Sequence, residues 1–378
     1  MTSPRRPKQR GVALLVVLIL LVLMSVLAVR ISQQFSRNLQ KVRYQTSQQQ
    51  LRWAIHAQVP TIKQLLLDNG AGGDKALAPE GRWQEPVDTR GEHYRVESQI
   101  VDAQNCFNVN SLIADEQDAA ADSATTPATT TAETEKTTAA ATETATTTTA
   151  TSTATTPAEP VAAIGSGQDK LAKQQILEKL LEEAGMSGIT AENVYTQLLD
   201  YLDPDETTEQ GGQESDAWNA INARSLPANQ VMRTLNELRL LPAFPVNSWA
   251  KVSQLLCALP DSTNKVNINT LTAEQAPLLS ALFAGVLTKE DAIRLINARP
   301  ESGWANVDAF ETQAEEQFPV KKESLAQGRE FIGINSQYFT VNSTGTTDDL
   351  TLRVVTQLHL DSATGDIKVW QRRYRMIE

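Results

Sequence analysis

Arg10-Gly11-Val12-Ala13-Leu14-Leu15-Val16-Val17-Leu18-Ile19-Leu20-Leu21-Val22-Leu23-Met24-Ser25-Val26-Leu27-Ala28-Val29 decides how the rest of the chain is arranged. Arg5, Arg6, Lys8 and Arg10 form a basic leader, and from Val12 to Val29 there is no charge and one polar residue, Ser25. Such a run is near the lower limit for crossing a ~30 Å hydrocarbon core as a helix. The basic side stays cytoplasmic, so the remainder of the chain is expected to be exported. Two processing sites compete. A secretory signal is cut just after its apolar run, at a small-residue site, but Val26-Leu27-Ala28 lacks the small residue two places before Ala28. The other reading cuts between Gly11 and Val12 and retains the helix. Gly11 stands at the junction of basic and apolar residues, and the helical pattern runs on well past Val29. From Ile31 to Leu67 there is no Gly, and the only Pro is Pro60. Ile31, Phe35, Leu39, Val42, Leu51, Ile55, Val59, Ile62 and Leu65 recur at the spacing of one helix face, which predicts a single helix ending near Asp68-Asn69-Gly70.

Beyond a Gly/Pro-punctuated loop, Glu92 to Asp102 alternates as a strand, with Tyr94, Val96, Ser98 and Ile100 on one face. Cys106-Phe107-Asn108-Val109-Asn110-Ser111-Leu112 follows. Val266-Asn267-Ile268-Asn269-Thr270-Leu271 repeats its pattern. Both read as short extended pieces leading into helical units capped by the Ser or Thr, and together they suggest a duplication. From Ala114 to Ala163 the composition collapses to Ala, Thr, Pro and Glu with no aromatic residue. Such a segment buries too little apolar surface to offset its ordering entropy and is expected to be a disordered insertion. Helices are predicted through Gln168 to Glu330, among them Ala228 to Leu240, Val246 to Cys257, Lys289 to Ala298 and Val307 to Gln313. Strands return at Tyr338 to Val341, Leu350 to Leu360 and Ile367 to Met376, with a turn at Ser362 to Asp366.

The 378 residues suit about two domains plus a linker or tail. The formal net charge is -11, and loss of the four leader cations takes it to -15, which disfavours nucleic acid or anionic lipid as the default partner. Cys106 and Cys257 can persist as a disulfide in an exported chain, the alternative being two buried thiols. Asp200, Asp203, Asp205, Glu206, Glu209, Glu214 and Asp216 place seven carboxylates in seventeen residues. That loop either is simply solvated or supplies the six to eight oxygens that Ca²⁺ takes. Leu282 to Ala292 resembles a helix-hairpin-helix, but Glu290 and Asp291 beside one Lys favour a packing role over phosphate gripping. The three histidines, His56, His93 and His359, show no catalytic spacing, and no enzyme is expected.

A basic leader, Gly, and an apolar helix opening Val-Ala-Leu-Leu-Val resemble the class III signal of type IV pilins and type II secretion pseudopilins. The resemblance implies that prepilin peptidase cuts between Gly11 and Val12 and methylates the new amino terminus. Most members carry Glu five residues into the mature chain. Here that position is Val16, which narrows the resemblance to the minor pseudopilin K family, whose members lack that Glu. Cys106-Phe107-Asn108-Val109-Asn110, Leu199-Asp200-Tyr201-Leu202-Asp203-Pro204-Asp205 and Leu259-Pro260-Asp261-Ser262-Thr263 also match that family as they stand.

The implied fold is α+β: a long N-terminal helix packed on an antiparallel sheet, pilin-like, with a large inserted all-α domain. The segments expected are a leader at 1–11, the helix at 12–70 with its transmembrane part at 12–29, and the first part of the pilin-like domain at 71–113. The insertion at 114–163, the helical domain at 164–330 and the closing strands at 331–378 complete them. The implied function is a non-enzymatic subunit at the tip of the periplasmic pseudopilus. It would join minor pseudopilins I and J and other pseudopilins, and start assembly for secretion across the outer membrane. It would cross the inner membrane once, with its C-terminal domain in the periplasm. Calcium would be held by Asp203, Asp205, Glu214 and Asp216. The alternative is a membrane-anchored binding module whose hairpins take DNA or secreted cargo.

Overall fold

The computed structural model describes residues 12–73, 75–79, 81–113, 163–204, 218, 226–262 and 265–377. The leader, most of the Thr-rich insertion, and Asp205, Glu214 and Asp216 lie outside these residues. The described chain divides into two compact units. One holds the N-terminal helices and the five-stranded sheet, and the other comprises Asp74–Pro79 and Ala103–Ser336.

The first unit opens on α1 (Val12–Ala57) and α2 (Val59–Asp68). The expected single helix breaks at Gln58 for a simple reason. Pro60 has no N–H to offer the carbonyl of His56, and its ring crowds that carbonyl. Gln58 takes up the break, and its side chain is almost fully buried. Its Nε2 donates to Thr89 Oγ1 at 2.9 Å and Val87 O at 3.1 Å, while its Oε1 accepts from Ser98 Oγ. Ser98 in turn meets Ser343 at 2.7 Å. A break in one helix is thereby tied to the sheet beneath it. α2 stops where Asn and Gly end the pattern: Gly70 takes φ 84° and the Ala71 amide returns to Leu66 O.

Five antiparallel strands form the sheet, in the order β1 (Val87–Arg90), β2 (Arg95–Asp102), β7 (Tyr338–Thr346), β8 (Thr351–Leu360) and β9 (Ile367–Ile377). Period-two alternation sends Val96, Ile100, Val341, Leu352 and Val354 inward, where Leu51, Ala54 and Ile55 of α1 meet part of that face. Gly345 lets α1 come this close, because a Cβ there would lie 3.0 Å from Leu51. β1 has no counterpart in the sequence pattern. Its four residues are too few to show alternation, and they follow directly on Pro86.

The second unit begins at Ala103 rather than after Ile113, and it runs on to Ser336 rather than stopping at Glu330. Its order is β3 (Phe107–Asn108), α3 (Ala163–Glu183), α4 (Gly188–Leu202), α5 (Trp249–Leu255), β4 (Leu256–Cys257), β5 (Val266–Asn267), α6 (Ala276–Leu282), α7 (Lys289–Asn297), α8 (Val307–Gln317), α9 (Lys322–Arg329) and β6 (Ile332–Gly333). β3 pairs with β4 and β5 pairs with β6, both in parallel. These pairings draw the expected outer segments into the helical core, and Leu77 adds a strap by donating its amide to Ile334 O at 3.0 Å. Ala228 to Leu240 does not form the expected helix, since only Leu235–Leu240 winds, as 3-10 turns.

Candidate assembly site

On α1 the residues opposite the sheet form a second stripe. Ile31, Phe35, Leu39, Val42, Thr46, Gln49, Trp53 and His56 recur at three- and four-residue steps, so they share one face. All eight are exposed, Trp53 at 77% and Phe35 at 63%. The stripe continues the apolar run of 12–29, and α1 is long and apolar enough to cross a membrane. At its upper end Trp53, Gln49, Arg52, His56 and Tyr374 line a recess, with the Arg52 guanidinium 4.8 Å above the Tyr374 ring. A helix that buries one face on its own sheet and bares a second apolar face offers a candidate docking surface. Sequence periodicity found the apolar positions but could not divide them between the two faces. Val16 lies within the same helix and is exposed.

The repeated Asn motif makes one device twice. Asn108 Oδ1 accepts from the Asn110 amide at 3.2 Å, and Asn267 Oδ1 accepts from the Asn269 amide at 2.9 Å. Each second Asn then clasps one distant residue through both backbone groups. Asn110 donates to Met232 O and accepts from Met232 N, both at 2.9 Å. Asn269 donates to Trp304 O at 3.0 Å and accepts from Trp304 N at 2.8 Å. All four Asn are buried, where an amide left unpaired costs free energy and a paired one fixes the chain. Ser111 and Thr270 do not cap helices as expected. Their hydroxyls donate back to Asn108 O and Asn267 O, and Thr272 makes the capping box instead. Phe244-Pro245-Val246 and Phe318-Pro319-Val320 also repeat, 12 residues after Met232 and 14 after Trp304.

Cys106 and Cys257 are joined across the β3–β4 pair with Cα atoms 5.8 Å apart. The hairpin of α6 and α7 turns through Ala284 at φ 50° and Gly285 at φ 78°. Lys179 of α3 reaches its Nζ over Gly285, and Glu183 pairs with Lys289 at 3.7 Å. With Asp291 spent on the Thr288 capping box, the turn serves packing. Asp200 and Asp203 are both buried at the end of α4. Among the described residues no group of three His, Cys, Asp or Glu is placed to hold a metal.

A membrane-length helix packed on an antiparallel sheet, with a helical unit inserted between two strands, defines a pilin-like subunit of enlarged form. Two family models described as type II secretion system protein K match residues 105–261 and 266–328, so their boundary falls between the two Asn devices. Type II secretion system protein K of Klebsiella pneumoniae is 30% identical over 340 residues, 88% of this chain and 86% of that one. The Dickeya chrysanthemi protein K is 32% identical over 310 residues, 80% and 81% of the two chains. A crystal structure of the GspK-GspI-GspJ complex from the enterotoxigenic Escherichia coli type 2 secretion system matches with a TM-score of 0.65 and 22% identity, over 89% of this chain and 99% of that one. The chain belongs to the type II secretion system protein K family, whose members are structural pseudopilins rather than a known class of enzyme.

Proposed function

We propose that this chain is the tip subunit of a periplasmic pseudopilus, anchored once in the inner membrane, and that it binds minor pseudopilins I and J to start assembly. The bare stripe from Ile31 to Trp53 carries this reading, because it offers a partner helix a continuous apolar face. The matched Escherichia coli structure is a complex of GspK with GspI and GspJ, and partners of the same kind suit this stripe. Processing by prepilin peptidase between Gly11 and Val12, with methylation of Val12, would release the anchor for assembly. Val16 supports the tip position. A carboxylate in lipid needs a partner, and a subunit with no neighbour above it has none to offer. The inserted helical unit would obstruct stacking within the shaft.

Trp53→Glu tests the stripe. It should leave the melting temperature nearly unchanged, since Trp53 is exposed, while abolishing co-purification with I and J. Undiminished co-purification would sink the reading. Gly11→Leu should leave the leader attached, visible as unprocessed mass, and stop secretion.

Calcium belongs to the same proposal. Asp200 is buried in the last turn of α4 and Asp203 is buried as the residue that caps its end, and oxygen donors of this kind suit a hard cation. Asp203, with Asp205, Glu214 and Asp216, would hold it and fix the acidic loop. Added Ca²⁺ should raise the melting temperature of the wild type but not of Asp203→Ala with Asp205→Ala, because a ligand of the folded state stabilises by mass action.

A further inference from the structure

Between Val12 and Leu67 there is no acidic residue, although the whole chain carries -11. The first cations in that stretch stand where the apolar run ends, at Arg30, Arg37, Lys41 and Arg43, with Arg52 and Lys63 further along. The first four are exposed, and no ion pair among the described residues engages them. Arg30, Arg37 and Lys41 recur at seven and four residues, so they share a face, and it is not the face of Ile31, Phe35, Leu39 and Val42. Docking a helix on the apolar stripe therefore leaves Arg30, Arg37 and Lys41 free, while Arg43 stands at the edge of the stripe beside Leu39. Arg37, Lys41 and Arg43 also line a recess with Tyr44, where one carboxylate, Asp349, faces three cations.

We propose that Arg30, Arg37, Lys41 and Arg43 form a headgroup site for anionic phospholipids of the leaflet from which α1 emerges. The inference rests on the membrane-anchored reading above. At ~1.5 Å per residue, Arg37 stands about 12 Å beyond Val29 and Lys41 about 18 Å. Helix side chains lean toward the N-terminus, which here is the membrane side, so both reach back toward the headgroups. Arg30 lies among the headgroups, Arg37 within reach of them, and Lys41 and Arg43 within about a Debye length, ~8–10 Å, once their side chains extend. An acidic protein partner would not need its charges graded from the end of the span, whereas a lipid surface does. The site runs against the net charge of the chain by placing four cations, with no carboxylate on α1 beside them, where the helix leaves the bilayer.

The test uses the full chain in nanodiscs of phosphatidylcholine containing a minority of phosphatidylglycerol, with spin-labelled lipids reporting which species the protein immobilises. The expected result is roughly a three- to tenfold preference for phosphatidylglycerol at low salt, falling toward unity in Arg30→Ser/Arg37→Ser/Lys41→Ser/Arg43→Ser and kept in Arg37→Lys/Arg43→Lys. A preference that survives in the quadruple Ser variant, or is absent from the wild type, overturns the site. Loss of co-purification with I and J in the quadruple variant, with lipid preference unchanged, would also overturn it in favour of an acidic protein partner. Failure of the wild type to enter the discs would instead bring down the membrane anchor itself, and the proposal with it.

Discussion

Asn108 and Asn110 close their half of the helical unit beside a covalent staple, while Asn267 and Asn269 close theirs without one. The halves otherwise correspond: a short strand, a helical hairpin, a clasped residue, further helical turns and a parallel return strand. The first half carries the Thr-rich insertion and the acidic loop, and its disulfide spans a sequence separation of 151. The second has short connections, and it packs aromatics as the first does at Tyr201–Trp218 and Phe244–Trp249. Phe310 stacks on Phe283 at 5.7 Å and meets Trp304 edge-on at 5.0 Å. There Arg329 bridges α8 and α9, with Nη1 2.6 Å from buried Glu311 and 2.7 Å from Asp308. Long connections raise the entropy cost of closure, and a crosslink removes it from the unfolded chain. The half with long connections has the crosslink, and the half with short ones closes on packing and an ion pair.

Removing the staple should break this contrast most strongly. Cys106→Ser with Cys257→Ser should lose about 4 kcal/mol, and hydrogen exchange should rise in α4 and α5 before α7 and α8. Uniform exchange across both halves would show that they unfold as one and that the division of labour is wrong. Arg329→Met should come next, with a loss between that of the staple and that of a clasp, because it strands the buried carboxylate of Glu311. The order of exchange should then be reversed. Asn110→Ala and Asn269→Ala sharpen the symmetry: each leaves a clasped backbone unpaired and should cost about 2 kcal/mol. A difference of more than about 1 kcal/mol in denaturant melts would mean that the two devices are not equivalent.

The smallest effect is one of pH. The hydrogen bond from Arg329, with its charge, holds the Asp308 carboxyl below the usual carboxylate range. A depressed folded-state value stabilises above the ordinary carboxylate value, and the benefit is lost as pH falls through the folded value. Acidification should therefore loosen the α8–α9 contact slightly in the wild type and not in Asp308→Asn. Equal acid sensitivity in both would remove Asp308 from the account.

The sheet unit is the more legible of the two. Alternation in Leu350 to Leu360 and the long apolar spacing of α1 leave few other folds, so the faces follow from pattern, while the β8–β9 register shift at Gln357/Leu358 does not. The helical unit is legible in outline only, because its closures are polar and distant. Ala228 to Leu240 has helical spacing, yet the Asn110 clasp holds Met232 in a non-helical path. α9 escapes the pattern because it offers only Leu325 and Gly328 to the core. Gly328 is there for its small size, since any Cβ would strike the Phe283 ring. Gln58 carries no signal beyond the nearby Pro60. The Asn motif is visible as a repeat, but what each second Asn grasps lies 122 and 35 residues away.

Asp102 and Phe339 face each other in the β2–β7 register. In topological terms everything from Ala103 to Tyr338 is therefore a hairpin loop, entered and left at one rung of an antiparallel ladder. A two-residue turn such as Asn-Gly at that rung would close β2 directly onto β7. The resulting short chain would be an ordinary pilin-type subunit. The helical unit is thus a cassette: a gene could gain or lose it without re-threading the sheet. Only the short Asp74–Pro79 strap, which belongs to the same unit, would have to travel with it.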